Sequence, residues 1–255
     1  MARHRGAPPH PRVCRARDPP GICAVDRGWP FCAELCRDRV DDAAGGTRQG
    51  GGGVSSRSYP PDVDPQSQCR LRLPRREELD PEAQPIYDSL ADPRGGSLRG
   101  LRGPGGIHLH SPVLARHTRA LNRYLRQESA LGGRVRELAI LVTARELDSQ
   151  FEWAAHEEEA RREGLSPEII ETIRHRRDTS GLDQADAAVI ELGREIFTAR
   201  KVTSETFARA LELFGRKKLV DLVALMGNYA ATAAMLTAFG MQLGPDQPPP
   251  LPARS

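Results

Sequence analysis

The stretch RVRELAILVTARELDSQFEWAAHEEEARREGLSPEIIETI, residues 134–173, decides the fold because it contains three helical segments separated by two short turns. In the first segment, Val135, Leu138 and Val142 recur at steps of three and four residues, as on one face of an α-helix. The third segment begins at Ser166, which is followed by a proline, a pair typical of a helix start. Short connections place successive helices side by side, so this stretch predicts packed helical hairpins.

Helical patterns continue on both sides of this stretch, from about Leu71 to Met241, and few segments resemble strands. The predicted helices cover approximately residues 80–90, 111–129, 133–146, 149–163, 166–175, 183–200, 203–214 and 216–240. The glycine-rich stretch LRGPGGIHLH, residues 101–110, is predicted to be a loop. The expected fold class is therefore all-α.

Both ends of the chain lack this helical periodicity. Residues 1–70 are rich in Pro, Gly and Arg, and residues 242–255 contain the Pro-rich sequence PDQPPPLPARS. Such segments bury too little apolar surface to offset their chain entropy, so we expect disordered tails around one helical domain, residues 71–241. A start codon assigned too far upstream would also explain the change in composition near residue 70. A native peptide from residues 2–40 would exclude that explanation.

The positive charge of the chain lies in its N-terminal part. The net charge is +3, and residues 1–70 hold eleven Arg and eight acidic residues, so residues 71–255 are neutral. A neutral domain lacks the basic surface that binds the phosphate backbone of nucleic acids. All five cysteines also lie in residues 1–70, at spacings that match neither paired zinc knuckles nor a C-x-x-C redox unit, and the odd count disfavours a disulfide framework. We expect no nucleic-acid partner, no metal site and a reducing, cytoplasmic location.

One uncharged stretch, residues 222–241, has about the length of a membrane span. Its many Ala residues, two Thr and Asn228 make it only weakly apolar, and Leu219, Leu222 and Met226 recur at helical steps, as in a core helix. We therefore expect no membrane partner.

Three ionisable residues of the central stretch are candidates for acid/base chemistry. Glu137 shares a helix stripe with Ile140 and Leu141, and a carboxylate among apolar neighbours must hold its proton or find a donor. The next helix folds back and presents Glu152 and His156 four residues apart, which makes His156 the nearest expected partner of Glu137. A partly desolvated Glu and His in contact can transfer a proton at neutral pH. The alternative is an ordinary polar contact on a solvated helix.

At these residues the chain resembles the carboxymuconolactone decarboxylase family, which includes the alkylhydroperoxidase D-like proteins. The resemblance covers residues 73–241 and rests on R-E-L-A-I-L, a short polar turn, E-W-x-x-H and G-L-S-x-E-x-I. The segments LRGPGGIHLHSPVLA and GNYAATAAML are similar to family segments in the same relative places. The resemblance implies an all-α fold of packed helical hairpins that forms a homo-oligomer, often a trimer or hexamer, with sites near subunit contacts.

The resemblance also bears on the chemistry. In the redox-active members a Glu is followed by C-x-x-C and a His; the Glu and His fall on Glu137 and His156, and the two cysteine positions fall on Ser149 and Glu152. These residues cannot form a disulfide, which disfavours peroxidase-like (peroxiredoxin-type) activity as in the redox-active relatives. The chain resembles the branch without the cysteine pair, whose decarboxylase-type members act on small cyclic acids and lactones without a metal or organic cofactor. It is thus expected to be a lyase with catalytic Glu137, Glu152 and His156.

Four further residues are predicted to bind a small-molecule substrate: His110, Arg102, Trp153 and Tyr229. Arg99, His108 and Asn228 are additional candidates nearby. Loop arginines are often solvated, a buried Tyr or Asn often satisfies a core hydrogen bond, and a lone Trp is often a packing anchor. A helical oligomer that binds a small ligand without catalysis is therefore an open alternative.

Overall fold

The computed structural model of this chain describes residues 59–94 and 97–253. Within these ranges the fold is all-α, without a β-sheet. The α-helices are α1 (Gln84–Ala91), α2 (Pro104–His108), α3 (Pro112–Arg123), α4 (Gly133–Glu146), α5 (Gln150–Arg162), α6 (Pro167–Arg174), α7 (Gln184–Arg194) and α8 (Ser204–Ala238). A short 3₁₀ helix covers Arg76–Glu78, and π-helical turns follow α3 at Tyr124–Glu128 and α7 at Glu195–Ala199.

Helix α4 lies at the centre of the fold, in contact with α5, α6, α7 and α8. Every residue from Glu137 to Glu146 is buried, so the helix has no face toward solvent. A helix surrounded on all sides is usually apolar throughout, which makes the buried Glu137 conspicuous. The core around α4 includes Trp153 from α5, Ile170 from α6 and Leu222 from α8.

The predicted helices are confirmed, including the break at Gly215, where φ is 68° and ψ 168° inside α8. The loop predicted for residues 101–110 is wrong in part, because Pro104–His108 form α2. Its glycines allow close packing rather than flexibility: a Cβ on Gly106 would lie 2.1 Å from the carbonyl oxygen of Leu101.

The prediction of disordered tails is wrong for the parts of both tails that the structure describes. Cys69 is 2% exposed, and the next residue, Arg70, donates its backbone N–H to Phe239 at the end of α8. Leu251 is 3% exposed and belongs to the main core cluster. Segments too polar to form a core of their own can still bury single apolar side chains in a core built by the helices. The predictions for residues 1–58 and 254–255 lie outside the described residues.

Among the described helices, α8 has the length and apolar composition to cross a membrane, and 44% of its most apolar window is buried inside the protein. The core helix of a globular protein meets the same two criteria. Leu222, Leu225 and Met226 of this helix are packed in the main core cluster. The absence of a membrane partner and the cytoplasmic location stay predictions.

We expect Gly193→Ala to destabilise the fold by about 1–3 kcal/mol, because it overpacks the contact between α7 and α4. A Cβ on Gly193 would lie 2.4 Å from Cγ1 of Val142 in the central helix. The matched control is Gly181→Ala, where an added Cβ meets nothing within 4 Å. Urea denaturation measures both variants, and equal losses of stability would contradict this account of the contact.

Candidate active site

Glu137 of α4 and His156 of α5 form a buried pair. The Nδ1 atom of His156 lies 2.7 Å from Oε2 of Glu137, and their side chains are 7% and 0% exposed. The turn Leu147–Ser149 is short enough to reverse the chain and align the two helices, with Asp148 in the left-handed region at φ 52°. The predicted partnership of Glu137 with His156 is therefore confirmed, whereas Glu152 is not the partner of His156.

Two arginines complete the surroundings of Glu137. Its Oε1 atom accepts a hydrogen bond from Nε of Arg136 at 3.0 Å, and Nη2 of Arg126 lies 3.8 Å from the same oxygen. Burial would raise the pKa of Glu137, but the hydrogen bond from His156 and the two arginines lower it overall. Glu137 is therefore ionised at neutral pH.

The imidazole of His156 responds to the same surroundings. Burial lowers its pKa, and the hydrogen bond to Glu137 opposes this effect only in part. A neutral imidazole beside an ionised carboxylate keeps its proton on Nδ1, where it can donate to Glu137. This tautomer, assigned from the hydrogen-bond pattern, leaves a basic lone pair on Nε2, for which the described residues supply no hydrogen-bond donor.

Glu152, in the first turn of α5, has no such partner. Its side chain is buried, and neither carboxyl oxygen has a hydrogen-bond partner among the described residues. Burial raises the pKa of Glu152 to about 8, although the nearby hydroxyl of Ser149 acts in the opposite direction. An unpaired buried carboxylate is costly, so this side chain holds its proton at neutral pH.

His156 and Glu152 both line an open cleft of about 700 Å³. Its walls come from α2, α3, α5, α8 and the segment before α2. The ring of Tyr229 meets the ring of His156 edge-on, with 5.1 Å between centroids and 84° between planes. Burial raises the pKa of the Tyr229 hydroxyl. Of the sequence-predicted residues, the cleft brings together Glu152, His156, Arg99, Arg102, His108, Asn228 and Tyr229.

The lining of the cleft is rich in arginine. Its arginines are Arg99, Arg102, Arg116, Arg119, Arg123 and Arg126, and its sole acidic residue among those described is Glu152. Arg116 and Arg123 have surface ion-pair partners, Glu82 and Glu128. Arg99 stacks on the ring of Phe151, 5.4 Å from its centroid. Because Glu152 is neutral, the cleft as a whole carries positive charge and suits an anionic ligand.

Arg126 is the functional candidate that sequence reasoning missed. It lies in the π-helical turn Tyr124–Glu128, and its Nε is buried without a hydrogen-bond partner within the described ranges. A π-helical turn inserts a residue and rotates the side chains that follow, so helical periodicity does not predict where Arg126 points. Its direction follows from the tertiary structure alone.

Two predicted substrate-binding residues do not line the cleft. Nε2 of His110 instead lies 3.1 Å from the carbonyl oxygen of Arg72. Trp153 is fully buried, its Nε1 donates to Glu157 at 2.8 Å, and Arg174 covers its ring at 5.0 Å. Successive helical residues differ in direction by about 100°, so Trp153 faces the core while Glu152 beside it faces the cleft. Neither residue lines the cleft with His156 and Glu152, and their contact with a substrate stays a prediction.

Neither thiols nor a metal cluster accompany this site in the part of the chain that the structure describes. The residues at the two cysteine positions of the redox-active relatives are Ser149 and Glu152, and Cys69, a buried free thiol, does not line the cleft. Within residues 59–94 and 97–253, no group of three or more His, Cys, Asp or Glu side chains is arranged to hold a metal ion.

Residues 112–192 match the sequence model of the carboxymuconolactone decarboxylase family. This segment runs from α3 into α7 and contains Glu137, Glu152 and His156. The matched residues, about a third of the chain, are similar to the carboxymuconolactone decarboxylase family. The predicted resemblance is thus confirmed, and it leaves decarboxylase, peroxidase-like and non-catalytic roles open.

A solved structure similar to this chain is a protein of unknown function from Agrobacterium tumefaciens, described as a candidate antioxidant defence protein AhpD. The two chains share 19% identity with a TM-score of 0.46, over 53% of this chain and 94% of the other. Similarity at this level does not indicate the function of this chain. No curated protein matches the chain with significance.

Proposed function

We propose that this chain is a lyase or isomerase that acts on a small carboxylated or lactone substrate by acid/base chemistry. The observation that carries the proposal is the 2.7 Å contact between His156 and the buried Glu137, at a cleft that also holds the buried carboxyl of Glu152, which has no hydrogen-bond partner among the described residues. When one group is deprotonated and another is protonated at the same pH, the first can accept a proton from the substrate and the second can donate one to it.

In this proposal His156 is the base. Its Nε2 lone pair takes the proton from the carbon beside the carbonyl in an isomerisation, or from the carboxylic acid of the substrate before a decarboxylation, and later passes it to solvent. The hydrogen bond from Nδ1 to Glu137 orients the ring and stabilises the imidazolium that forms. The carboxylate of Glu137 stays ionised throughout because Arg136 and Arg126 neutralise it. Glu137 is therefore a positioning residue.

Glu152 is the proton donor in the proposed decarboxylation. The bond between the ring carbon and the carboxylate breaks, CO₂ leaves, and the electron pair moves into the conjugated carbonyl of the substrate. The resulting carbanion takes the proton of the Glu152 carboxyl, and solvent returns a proton to Glu152 through the open cleft. Two donors that line the cleft would bind the substrate anion or the developing negative charge: the Nε–H of Arg126, which has no hydrogen-bond partner among the described residues, and the hydroxyl of Tyr229.

The proposal is tested by incubating the full chain in D₂O with small carboxylated lactones and unsaturated cyclic acids. We expect loss of the carboxyl group, or deuterium at the adjacent carbon, followed by proton NMR. Saturable binding without exchange or turnover would instead favour the non-catalytic ligand-binding alternative. Turnover of hydroperoxide in a variant with all five cysteines replaced by serine would favour a peroxidase without thiols.

Arg126→Gln should raise KM by about tenfold or more while changing kcat by only a few-fold. A charge-assisted hydrogen bond to a substrate anion contributes about 1.5–3 kcal/mol, and Arg126 reaches the cleft from outside the proton-transfer pair. The matched control is Arg162→Gln on α5, an exposed arginine in surface ion pairs that does not line the cleft. Steady-state kinetics compares the two variants, and an unchanged KM in Arg126→Gln would remove Arg126 from the binding model.

We also propose that the chain forms a homo-oligomer, a trimer or hexamer. Support comes from α8, which presents an uncharged, solvent-exposed stripe formed by Val220, Val223, Ala224, Gly227, Ala231 and Ala234. Val220 is 68% exposed, and apolar surface of this kind often marks a protein interface. Light scattering of the full chain tests the proposal, and a mass equal to one chain at micromolar concentration would contradict it.

A further inference from the structure

The Pro-rich C-terminal segment contacts the first residue of α5, the helix that carries Glu152. The Gln150 side chain pairs with the backbone of Leu251 through two hydrogen bonds: Leu251 N–H donates to Oε1 at 2.9 Å, and Nε2 donates to the Leu251 carbonyl at 3.1 Å. Nη1 of Arg174 donates to the carbonyl of Pro250. The Leu251 side chain is buried in the main core cluster, although it lies 101 positions from Gln150.

Few local interactions hold this part of α5 in place. Ser149, at the N-cap position, makes no side-chain capping hydrogen bond, and the residue before it, Asp148, has φ 52°, which is rare outside glycine. Gln150 is the first residue of the helix, and its amide is bound to the C-terminal segment. The first turn therefore lacks a side-chain cap, and the contact of Gln150 with the C-terminal segment adds to the burial of Phe151 and Trp153 in holding it.

The same turn sets the surroundings of Glu152. Gln150 and Glu152 are two positions apart on one rigid turn, so a movement of Gln150 displaces the carboxyl that lines the cleft. Both oxygens of that carboxyl are buried and have no partner in the described part of the chain, so small displacements change their access to water. Arg174, which contacts Pro250, also covers the ring of Trp153, the residue that follows Glu152.

We propose that Gln150 and Arg174 form a binding site for a proline-rich peptide, occupied by the chain's own Pro248–Pro252, and that its occupancy positions Glu152 in the cleft. The Gln150 amide forms two hydrogen bonds with the backbone of Leu251, whose side chain is buried in the core. Arg174 donates a hydrogen bond to the carbonyl of the preceding residue, Pro250. Proline suits the other positions because an extended segment rich in proline loses little entropy on binding. The proposal does not depend on the proposed activity.

The titration of Glu152 reports this positioning, provided that its charged neighbours stay unchanged. The ionisable groups that line the cleft with it are His156 on α5, Tyr229 on α8, Arg126 in the π-helical turn, Arg116, Arg119 and Arg123 on α3, His108 on α2, and Arg99 and Arg102 in the segment before α2. Glu137 of α4 lies behind His156, and Ser149 lies beside Glu152. None of them belongs to the C-terminal segment or contacts it through a hydrogen bond among the described residues. A change in the titration midpoint of Glu152 after removal of the segment would therefore not come from the loss of a neighbouring charge.

The experiment compares the full chain with a variant that lacks residues 245–255 and with Gln150→Ala, which removes only the two hydrogen bonds to Leu251. The carbon-13 shift of the Glu152 carboxyl, assigned with Glu152→Gln, gives its titration midpoint. We expect the midpoint to fall from about 8 by at least about one pH unit toward the ordinary value of about 4.3 in both variants. A synthetic peptide of residues 245–255, added to the shortened chain, should restore the midpoint.

Two controls separate positioning from general stability. Pro249→Ala changes an exposed residue of the same segment and should leave the midpoint unchanged. A peptide with Leu251→Asp should not restore the shortened chain, because an aspartate would be buried without a partner. An unchanged midpoint in Gln150→Ala and in the shortened chain would overturn the proposal, even if thermal stability fell. Failure of the unmodified peptide to bind would overturn the peptide site.

Discussion

Replacing His156 with alanine is expected to lower kcat/KM by about two to four orders of magnitude, the usual contribution of a positioned general base. The imidazole lines the cleft and is oriented by its hydrogen bond to the buried Glu137. The measurement is steady-state kinetics with whichever carboxylated substrate the NMR screen identifies. The matched control is His175→Ala, since that imidazole is 43% exposed and contacts Glu171 away from the cleft.

The fold of this variant should persist, because Glu137 keeps its hydrogen bond from Arg136 and the charge of Arg126. We expect stability to fall by no more than about 1–3 kcal/mol, the range for a buried group that loses one partner. Loss of turnover with an intact oligomer supports catalysis by His156. Full turnover in His156→Ala would refute the assignment, and unfolding or dissociation of the variant would favour a structural role for the pair.

Glu152→Gln is expected to stabilise the protein at high pH and to change little at low pH. In the folded chain the pKa of Glu152 is raised to about 8, against about 4.3 for an unfolded glutamate. A raised pKa contributes stability that is fully present below about pH 4 and is lost as pH rises through about 8. Glutamine has nearly the same shape and does not ionise, so the variant should be more stable than wild type by on the order of 3–5 kcal/mol at pH 9.

Urea denaturation at pH 4.5 and pH 9 measures this difference. Glu137, whose pKa is lowered, contributes stability above about pH 4.3 that is lost in acid, but it does so equally in both proteins. The comparison therefore isolates Glu152. Glu158→Gln, at a side chain that is 66% exposed on the same helix, should show no such dependence. An equal stability difference at both pH values would mean that Glu152 is already ionised at neutral pH, and it could not then be the proton donor.

The helices and the central pair follow from local patterns. The apolar stripe around Glu137 and the short turn before α5 predict both the burial of the acid and its contact with His156, and the structure has these two groups 2.7 Å apart. Helical periodicity sets the face on which each side chain lies, and a short connection leaves few ways to pack two helices. The contact between Glu137 and His156 could therefore be predicted almost entirely from residues 134–173.

The tertiary structure decided the rest of the site. Trp153 and Glu152 are adjacent, yet one enters the core and the other the cleft, and no local rule states which side the core will occupy. Arg126 points into the cleft because of a π-helical turn, and Glu152 is unpaired because no other element supplies a donor in the described part of the chain.

The sequence by itself determined the all-α class, most helix boundaries and the pairing of Glu137 with His156, because these depend on spacing within a few turns of helix. The positive cleft and the binding of Leu251 to Gln150 were decided only in the folded chain. Both join residues that are distant in the sequence, and such contacts are selected by the packing of the whole core rather than by the local pattern.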